Sequence, residues 1–306
     1  MIDLSALIAT VSLERIAQGA IDAISVGSLY ALFSLGIALI FGIMGLMNFA
    51  HGELIMVGAY VLVLGKDLRL VALLAICVGS VMLVALLLER VAFRPVRAAS
   101  PATLLVTSFA ISFLLQNVVI QAVGSVPMVT NLSTTLSESF AVGSLSIPKL
   151  NVITVGVTAV LLTALILFLE QTSLGVQMRA SAEDFLMARL LGVKANRVIA
   201  VAFALSGLLA AVAAILIIGR TGSATPTMGL YPVLYAFIAT ILGGVGSLPG
   251  AVLGGYVLGA LTVALQIGLP VELQPFRDAL MFGIVFAVLV WRPQGLIHAR
   301  SMQTRI

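Results

Sequence analysis

Apolar runs of about 20 residues recur along the chain with short polar breaks, and a run of that length lets an α-helix cross the roughly 30 Å hydrocarbon core of a bilayer. Nine such segments can be delimited: Ala20 to Phe41, Gly52 to Leu64, Leu70 to Leu88, Ala102 to Ala122, Val152 to Leu169, Val198 to Gly219, Tyr231 to Val245, Ala251 to Ile267 and Ala279 to Trp291. The second is short for a crossing and fits a broken or re-entrant helix. The expected fold is therefore all-α, a polytopic integral membrane protein with about eight to ten membrane segments. Composition agrees: 9% of residues are charged, against roughly 25% in soluble domains. No stretch is left to bury a separate soluble core, so residues 1–306 read as one transmembrane domain. The net charge of +4 would suggest nucleic acid in a soluble protein, but here the partner is the lipid bilayer and the distribution of charge matters more than its sum. Asp3 precedes any basic residue, so no cleaved signal peptide is expected.

With nine crossings, Arg90, Arg94, Arg97, Arg179, Arg189, Lys194, Arg197, Arg292, Arg300 and Arg305 fall on one side of the membrane. Arg15, Lys66, Arg69, Lys149, Arg220 and Arg277 fall on the other. The positive-inside bias then places the C-terminus and the segment 173–197 in the cytoplasm and the N-terminus outside. The segment 124–150, rich in Ser, Thr, Val and Pro, is expected on the outer face, as a small cap or a contact for an external partner. A weak internal repeat is visible. Leu29, Tyr30, Gly42 and Gly45 recur at an offset of 201 as Leu230, Tyr231, Gly243 and Gly246, and Gly58 to Leu62 find echoes in Gly254 to Leu258. With nine spans the copies would share one orientation.

The segment Ser173 to Arg197 is a charged, cappable helical stretch between apolar spans. Ser181 is a candidate N-cap with Asp184 three residues on, and Gly192 stands where a left-handed residue ends a helix, so the expected helix is Ala182 to Leu191. Ala182, Phe185, Leu186 and Leu190 would share one side, with Glu183, Asp184 and Arg189 elsewhere. A helix that short needs tertiary or partner packing. It is either a solvated loop or a docking handle.

Asn48-Phe49-Ala50-His51-Gly52-Glu53 sets polar groups between apolar segments, where an ionised group at the bilayer centre costs roughly 2.5 to 3.5 kcal/mol on insertion scales. In one reading Asn48 caps the next helix, and His51 and Glu53 satisfy one another or nearby backbone. In the other, a broken helix lines a path whose free amides and Glu53 hydrogen-bond a zwitterionic solute. Gln116 and Asn117 lie inside an apolar span and either bond between helices or face the same path. Gly255 and Gly259 favour close helix packing within the chain, and Pro249 with its neighbouring glycines fits a tight inter-helix turn. Cys77, the one cysteine, reads as a small core residue. With two histidines, His51 and His298, and no His/Cys cluster or Ser/His/Asp arrangement, neither a metal site nor catalysis is expected.

Four segments together resemble the permease subunits of branched-chain amino acid ABC transporters, the LivH type, over most of the chain. They are Tyr30 to Tyr60, with Asn48 to Glu53, Met56 and Gly58-Ala59-Tyr60; Glu89 to Pro95, with Leu115-Gln116-Asn117 in the next span; the handle, with Gly175, Arg179-Ala180, Asp184, Ala188 and Gly192; and Leu242 to Gly246, Pro249 to Ala251 and Arg292 to Leu296. The resemblance implies a permease domain without cofactor of its own, acting with a second homologous permease subunit, two ATPase subunits that bind ATP and Mg, and a periplasmic binding protein in a bacterial inner membrane. Its substrates would be branched-chain or other hydrophobic amino acids, or urea and short amides in related permeases. The sequence supports part of this: it contains no G-x-x-x-x-G-K-[ST] phosphate loop, so any ATP is bound by another polypeptide. The handle departs from the usual Glu-Ala-Ala start of importer coupling loops, with Ser181-Ala182-Glu183-Asp184 in that place. Gly175, Arg179, Ala182, Glu183, Asp184, Phe185 and Gly192 are the candidate ATPase-coupling residues, the two glycines as hinges. Asn48, His51, Glu53, Gln116 and Asn117 are the candidate pathway residues. A stand-alone transporter or channel driven by an ion gradient, with His51 and Glu53 handling protons, is the rival class.

Overall fold

A computed structural model describes residues 13–130, 138–142 and 145–297. Expectations that fall on Asp3 and its neighbours, and on His298, Arg300 and Arg305, lie outside the described residues. The chain is an all-α, polytopic membrane protein. Among the described residues seven helical segments are long and apolar enough to cross a bilayer, and two apolar helices, His51–Leu64 and Leu230–Gly243, are shorter.

In chain order the helices are α1 (Leu13–Met44), α2 (His51–Leu64), α3 (Leu70–Leu87) and α4 (Pro101–Val123), then α5 (Lys149–Gln171), α6 (Ser173–Glu183) and α7 (Phe185–Leu190). They continue as α8 (Ala195–Thr221), α9 (Leu230–Gly243), α10 (Leu248–Gly268) and α11 (Arg277–Trp291), the last preceded by a 3-10 turn, Val271–Phe276. Helix α3 does not stop at Leu88 as its apolar run suggests. It passes through a π-helical turn, Leu88–Phe93, and a short helix, Arg94–Val96. Phe93 is thereby buried against Phe203 of α8 with ring centroids 5.4 Å apart. Among the described residues the regular non-helical pairs are short: β1 (Met128–Val129) with β4 (Ser223–Ala224), and the hairpin β2 (Ser139–Val142) with β3 (Leu145–Pro148). Lys149 bonds to Glu138 at the base of this hairpin, and that hydrogen bond and charge hold the Glu138 carboxyl below its ordinary value.

Helix α1 is the axle of the bundle. From Leu29 to Ile40 every residue is buried, although the helix has no strong apolar stripe, because neighbours surround it. Helix α10 lies antiparallel along it at backbone distance. A Cβ on Gly259 would stand 2.4 Å from Gly27 Cα, and one on Gly255 2.4 Å from the Ala31 nitrogen. The small-residue spacing thus packs within the chain, as expected. Hydroxyls stitch the same seam, with Ser34 Oγ donating to the Ala251 carbonyl at 2.8 Å and Ser28 Oγ 3.0 Å from the Tyr256 hydroxyl. Helix α8 repeats the device against α3, where a Cβ on Gly207 would meet Ala85 Cβ at 2.8 Å.

The α9–α10 corner has the expected tight turn: Gly244 and Gly246 have φ +111° and +86°, and Ser247 caps α10 by accepting from the Gly250 amide at 3.1 Å. The C-terminal motif closes on this corner, its Leu296 and Ile297 amides donating to the carbonyls of Leu242 and Gly243 at 2.8 and 2.9 Å. Of the internal repeat, the glycines correspond: Gly45, at φ +65°, and Gly246 both turn the chain between paired helices. The aromatic half does not. Tyr30 is buried mid-helix whereas Tyr231 opens α9 and is exposed, since a long helix precedes a short one in the first pair and the reverse holds in the second.

Replacing Gly259 by Leu should separate α1 from α10 and abolish monodisperse solubilisation in mild detergent, read by size-exclusion chromatography. Gly79→Ala, at a position with nothing within 4 Å of the added Cβ, should leave the profile unchanged.

Candidate functional site

The polar word lies at a helix break. After Met44 the chain turns at Gly45 and runs without helix to α2, and the His51 ring then packs against Gly36, about two turns before the end of α1: a Cβ on Gly36 would sit 2.3 Å from His51 Cε1. The second segment is thus a short helix preceded by a re-entering stretch. Its start abuts the turn that opens α9, where Gly52 and Gly229 face each other with no room for a side chain on either. A Cβ on Gly229 would lie 2.4 Å from the Gly52 oxygen. Phe49 seals the approach, stacked on Phe109 at 4.1 Å and tilted against Phe237 at 5.6 Å.

Asn48, His51 and Glu53 are each at most 1% exposed. They are not arranged as a mutually satisfied set. Asn48 Oδ1 accepts from the Ala50 amide at 3.1 Å, so it closes a local turn and does not cap α2, whose N-cap residue, Ala50, has no side chain able to do so. His51 Nδ1 lies 3.0 Å from Ser206 Oγ of α8, and Glu53 Oε1 accepts from Ser112 Oγ and Gln116 Nε2 of α4, both at 2.7 Å. Histidine and glutamate therefore pair with two different helices. Three buried polar atoms remain without a protein partner here, Asn48 Nδ2, His51 Nε2 and Glu53 Oε2, and Tyr60 Oη is another about two turns further along α2. Each such atom costs on the order of 1 to 3 kcal/mol, and Glu53 in the first turn of α2 suits the positive end of the helix dipole. The cluster can donate and accept hydrogen bonds in an otherwise apolar bundle. Gln116 joins it; Asn117 does not, being exposed and donating to the Phe113 carbonyl of its own helix at 2.8 Å.

The handle is two helices instead of the expected Ala182 to Leu191. Thr172 caps α6, accepting from the Gly175 amide at 2.9 Å, and Asp184 breaks the chain at φ −146°, ψ 103° to cap α7 through the Met187 amide at 2.9 Å. Ser181 is no cap: it is buried inside α6 with its hydroxyl unpartnered. The aspartate prevails because its side chain competes with helix continuation for the local amides. Gly192 does end the second helix, at φ +90°, with the Val193 amide bonded to the Ala188 carbonyl and its own amide to that of Arg189, a Schellman closure. Gly175 is not a free hinge, since its Cβ would stand 2.3 Å from the Phe168 oxygen at the end of α5. Arg179 and Glu183 are exposed on α6, while Ala182 and Phe185 are half-buried. Leu186, Leu190 and Leu191 are 67, 74 and 86% exposed, so the apolar face of the handle belongs to α7 and is uncovered.

Sequence reasoning missed Ser112 and Ser206, because a lone hydroxyl in an apolar span carries no pattern. Glu89, named there only as part of a motif, is buried at 5% exposure with Oε1 unpartnered in the π-helical turn after α3; a carboxylate at the end of an apolar run was the available signal.

A bundle of apolar helices interrupted by a short helix, with buried unpaired polar groups at the interruption, has the build of a membrane transporter. The family model described as "Branched-chain amino acid transport system / permease component" matches residues 19–289. The chain is 35% identical over 296 residues to the high-affinity branched-chain amino acid transport system permease protein BraD of Pseudomonas aeruginosa, covering 92% of this chain and 95% of the relative. It is 34% identical over 297 residues to LivH of Escherichia coli, with 92% and 94% covered. The fructose import permease protein FrcC of Rhizobium meliloti matches over 147 residues at 29% identity, 45% of this chain and 40% of the relative. No solved structure matches. The chain belongs to the branched-chain amino acid transport permease family, whose members are transport proteins.

Glu53→Ala strands the Ser112 hydroxyl and the Gln116 amide, a loss of about 1 to 3 kcal/mol. Thermal unfolding in detergent should fall accordingly. Glu53→Gln, whose amide oxygen still accepts both bonds, should lie close to the parent.

Proposed function

We propose that this chain is the membrane-spanning permease subunit of an ATP-driven ABC importer of branched-chain or other hydrophobic amino acids. It acts with a second homologous permease subunit, two ATPase subunits that hold ATP and Mg, and a periplasmic substrate-binding protein. The setting is a bacterial inner membrane, with the handle and the C-terminus cytoplasmic and the N-terminus outside. Family membership supports the transport role. The observation that carries the coupling role is the bare apolar face of α7: a short helix capped at both ends, exposing Leu186 and Leu190 beside Arg189 with Leu191 bare at its end, is stable only with a cover. An ATPase surface is the cover that fits a permease without a phosphate loop. Because Gly175 lets α6 press on the end of α5, a push on α7 passes into α5 on one side and α8 on the other, biasing two arrangements of the bundle. Substrate then moves past the α2 break, where Asn48, His51 and Glu53 keep unpaired polar atoms and Gln116 steadies the carboxylate.

In vesicles holding the complete transporter, Leu186→Ser with Leu190→Ser should leave insertion intact and cut leucine uptake per ATP hydrolysed by about tenfold or more. Removing even a part of the burial of two leucines, about 1.5 to 3 kcal/mol each, exceeds the 1.4 kcal/mol of a tenfold change. Asp184→Ala, which loses the α7 cap at a cost of about 1 kcal/mol, should act in the same direction more weakly. Parental coupling in the double variant would refute the handle's role. Competition of the same uptake by leucine, valine, urea and short amides decides the substrate class.

A further inference from the structure

At the end of the bundle that carries the short strands, α1, α5, α8 and α10 surround a cavity of about 210 Å³. Its polar lining is Asp22, Asn151, Arg220 and Gln266, and its apolar lining is Val26, Val263 and Ile267. The size is about seven times the ~30 Å³ share of one water and below the ~300 Å³ at which pockets for drug-sized ligands begin, which suits a small molecule of amino-acid dimensions. Gln266 and Ile267 are exposed at the rim, so the cavity is reachable. It lies away from the α2 break, and none of its lining residues takes part in the handle.

The charged groups are held in fixed places. Arg220 Nη2 donates to Ser25 Oγ and to Asn151 Oδ1, the latter at 3.2 Å, and Asn151 Nδ2 donates onward to Asp22 Oδ1 at 2.9 Å. The amide of Asn151 thus stands between guanidinium and carboxylate and bonds to both. Gln18 Nε2 braces Asp22 from the preceding turn of α1 at 3.4 Å. One donor in this network is left over: Arg220 Nε is buried and has no partner. A guanidinium N–H withdrawn from water without an acceptor is costly, and the acceptor it matches best is a carboxylate.

We propose that this cavity binds one α-amino acid in its zwitterionic form, with the ligand carboxylate on Arg220, its ammonium on Asp22, and a branched aliphatic side chain against Val26, Val263 and Ile267. The proposal rests on the reading of the chain as an amino-acid permease and adds a second site to it, separate from the α2 break. A cation and an anion held apart by a neutral amide recognise a molecule that carries both charges, and disfavour one that carries either alone, because the other charged group is then covered by the ligand without meeting an opposite charge.

The test uses the purified full-length chain in lipid nanodiscs, titrated with radiolabelled leucine in competition with two analogues: the 2-oxo acid that lacks the ammonium and the amine that lacks the carboxylate. The parent should prefer leucine to each by about tenfold or more, as expected for one charge-assisted hydrogen bond. Asp22→Asn should erase the preference over the oxo acid and keep that over the amine; Arg220→Gln should do the converse. Ile267→Ala, which touches no polar bond in the network, should shift selectivity from valine towards larger side chains and decides the matter if either charge variant fails to fold. Parental discrimination in the folded variants, or no leucine binding by a chain whose complete transporter imports leucine, overturns the site and leaves the transport reading standing. A complete transporter that imports no amino acid overturns the transport reading instead, whatever the nanodisc titrations give.

Discussion

Inside a bilayer an apolar side chain gains little by leaving lipid for protein, so helices hold together only where their surfaces come close enough for dispersion and short polar contacts to add up. Here that requirement is met along α1. Gly27 and Ala31 meet Gly259 and Gly255 backbone to backbone, and hydroxyls of Ser28 and Ser34 bridge the seam. The corner joining α9 to α10 is set by the same rule, with Gly243 and Gly250 in contact, and the C-terminal Leu296 and Ile297 amides use the carbonyls left at that corner. The rigid centre follows from glycine and serine more than from the larger side chains around it.

Two kinds of helix result. Those built around the seam, α1, α2, α8, α9 and α10, bury most of their small residues, whereas α3, α4, α5 and α11 turn most of their surface outward. Helix α4 meets the centre at few places, one of which is the pair of bonds from Ser112 and Gln116 to Glu53. The buried carboxylate therefore anchors a peripheral helix through one oxygen while its second oxygen stays unpaired. At the far end of the bundle, the Asp22, Asn151 and Arg220 network ties α1, α5 and α8 in the same fashion.

Much of this was legible beforehand. Gly192 as a helix stop, the tight turn just before Pro249, the small-residue face at Gly255 and Gly259, and the shortness of the second span all follow from local rules about positive φ, proline and close approach, which act within a few residues. The handle differs from its sequence pattern at the Asp184 break and at Gly175, which is packed against α5. Ser181 and Asp184 are both good caps, and the choice between them depended on Thr172 having already started α6, which buries Ser181 on the inward face. The pairing of His51 and Glu53 was also out of reach, because their partners, Ser206 and Ser112 with Gln116, lie 155, 59 and 63 residues away.

The class of protein is written into the order of the residues. Long apolar runs, sparse charge, placed glycines and the motifs around Asn48 and Gly192 require a membrane-embedded helical bundle with a broken second segment and a capped loop, since backbone amides in lipid must be satisfied within each helix. Which polar groups meet and which are left over is set by how the helices pack. That outcome depends on helices far apart in the chain arriving at the same depth and rotation, and no local pattern of residues encodes the side of a neighbouring helix that a lone serine, glutamine or arginine will face.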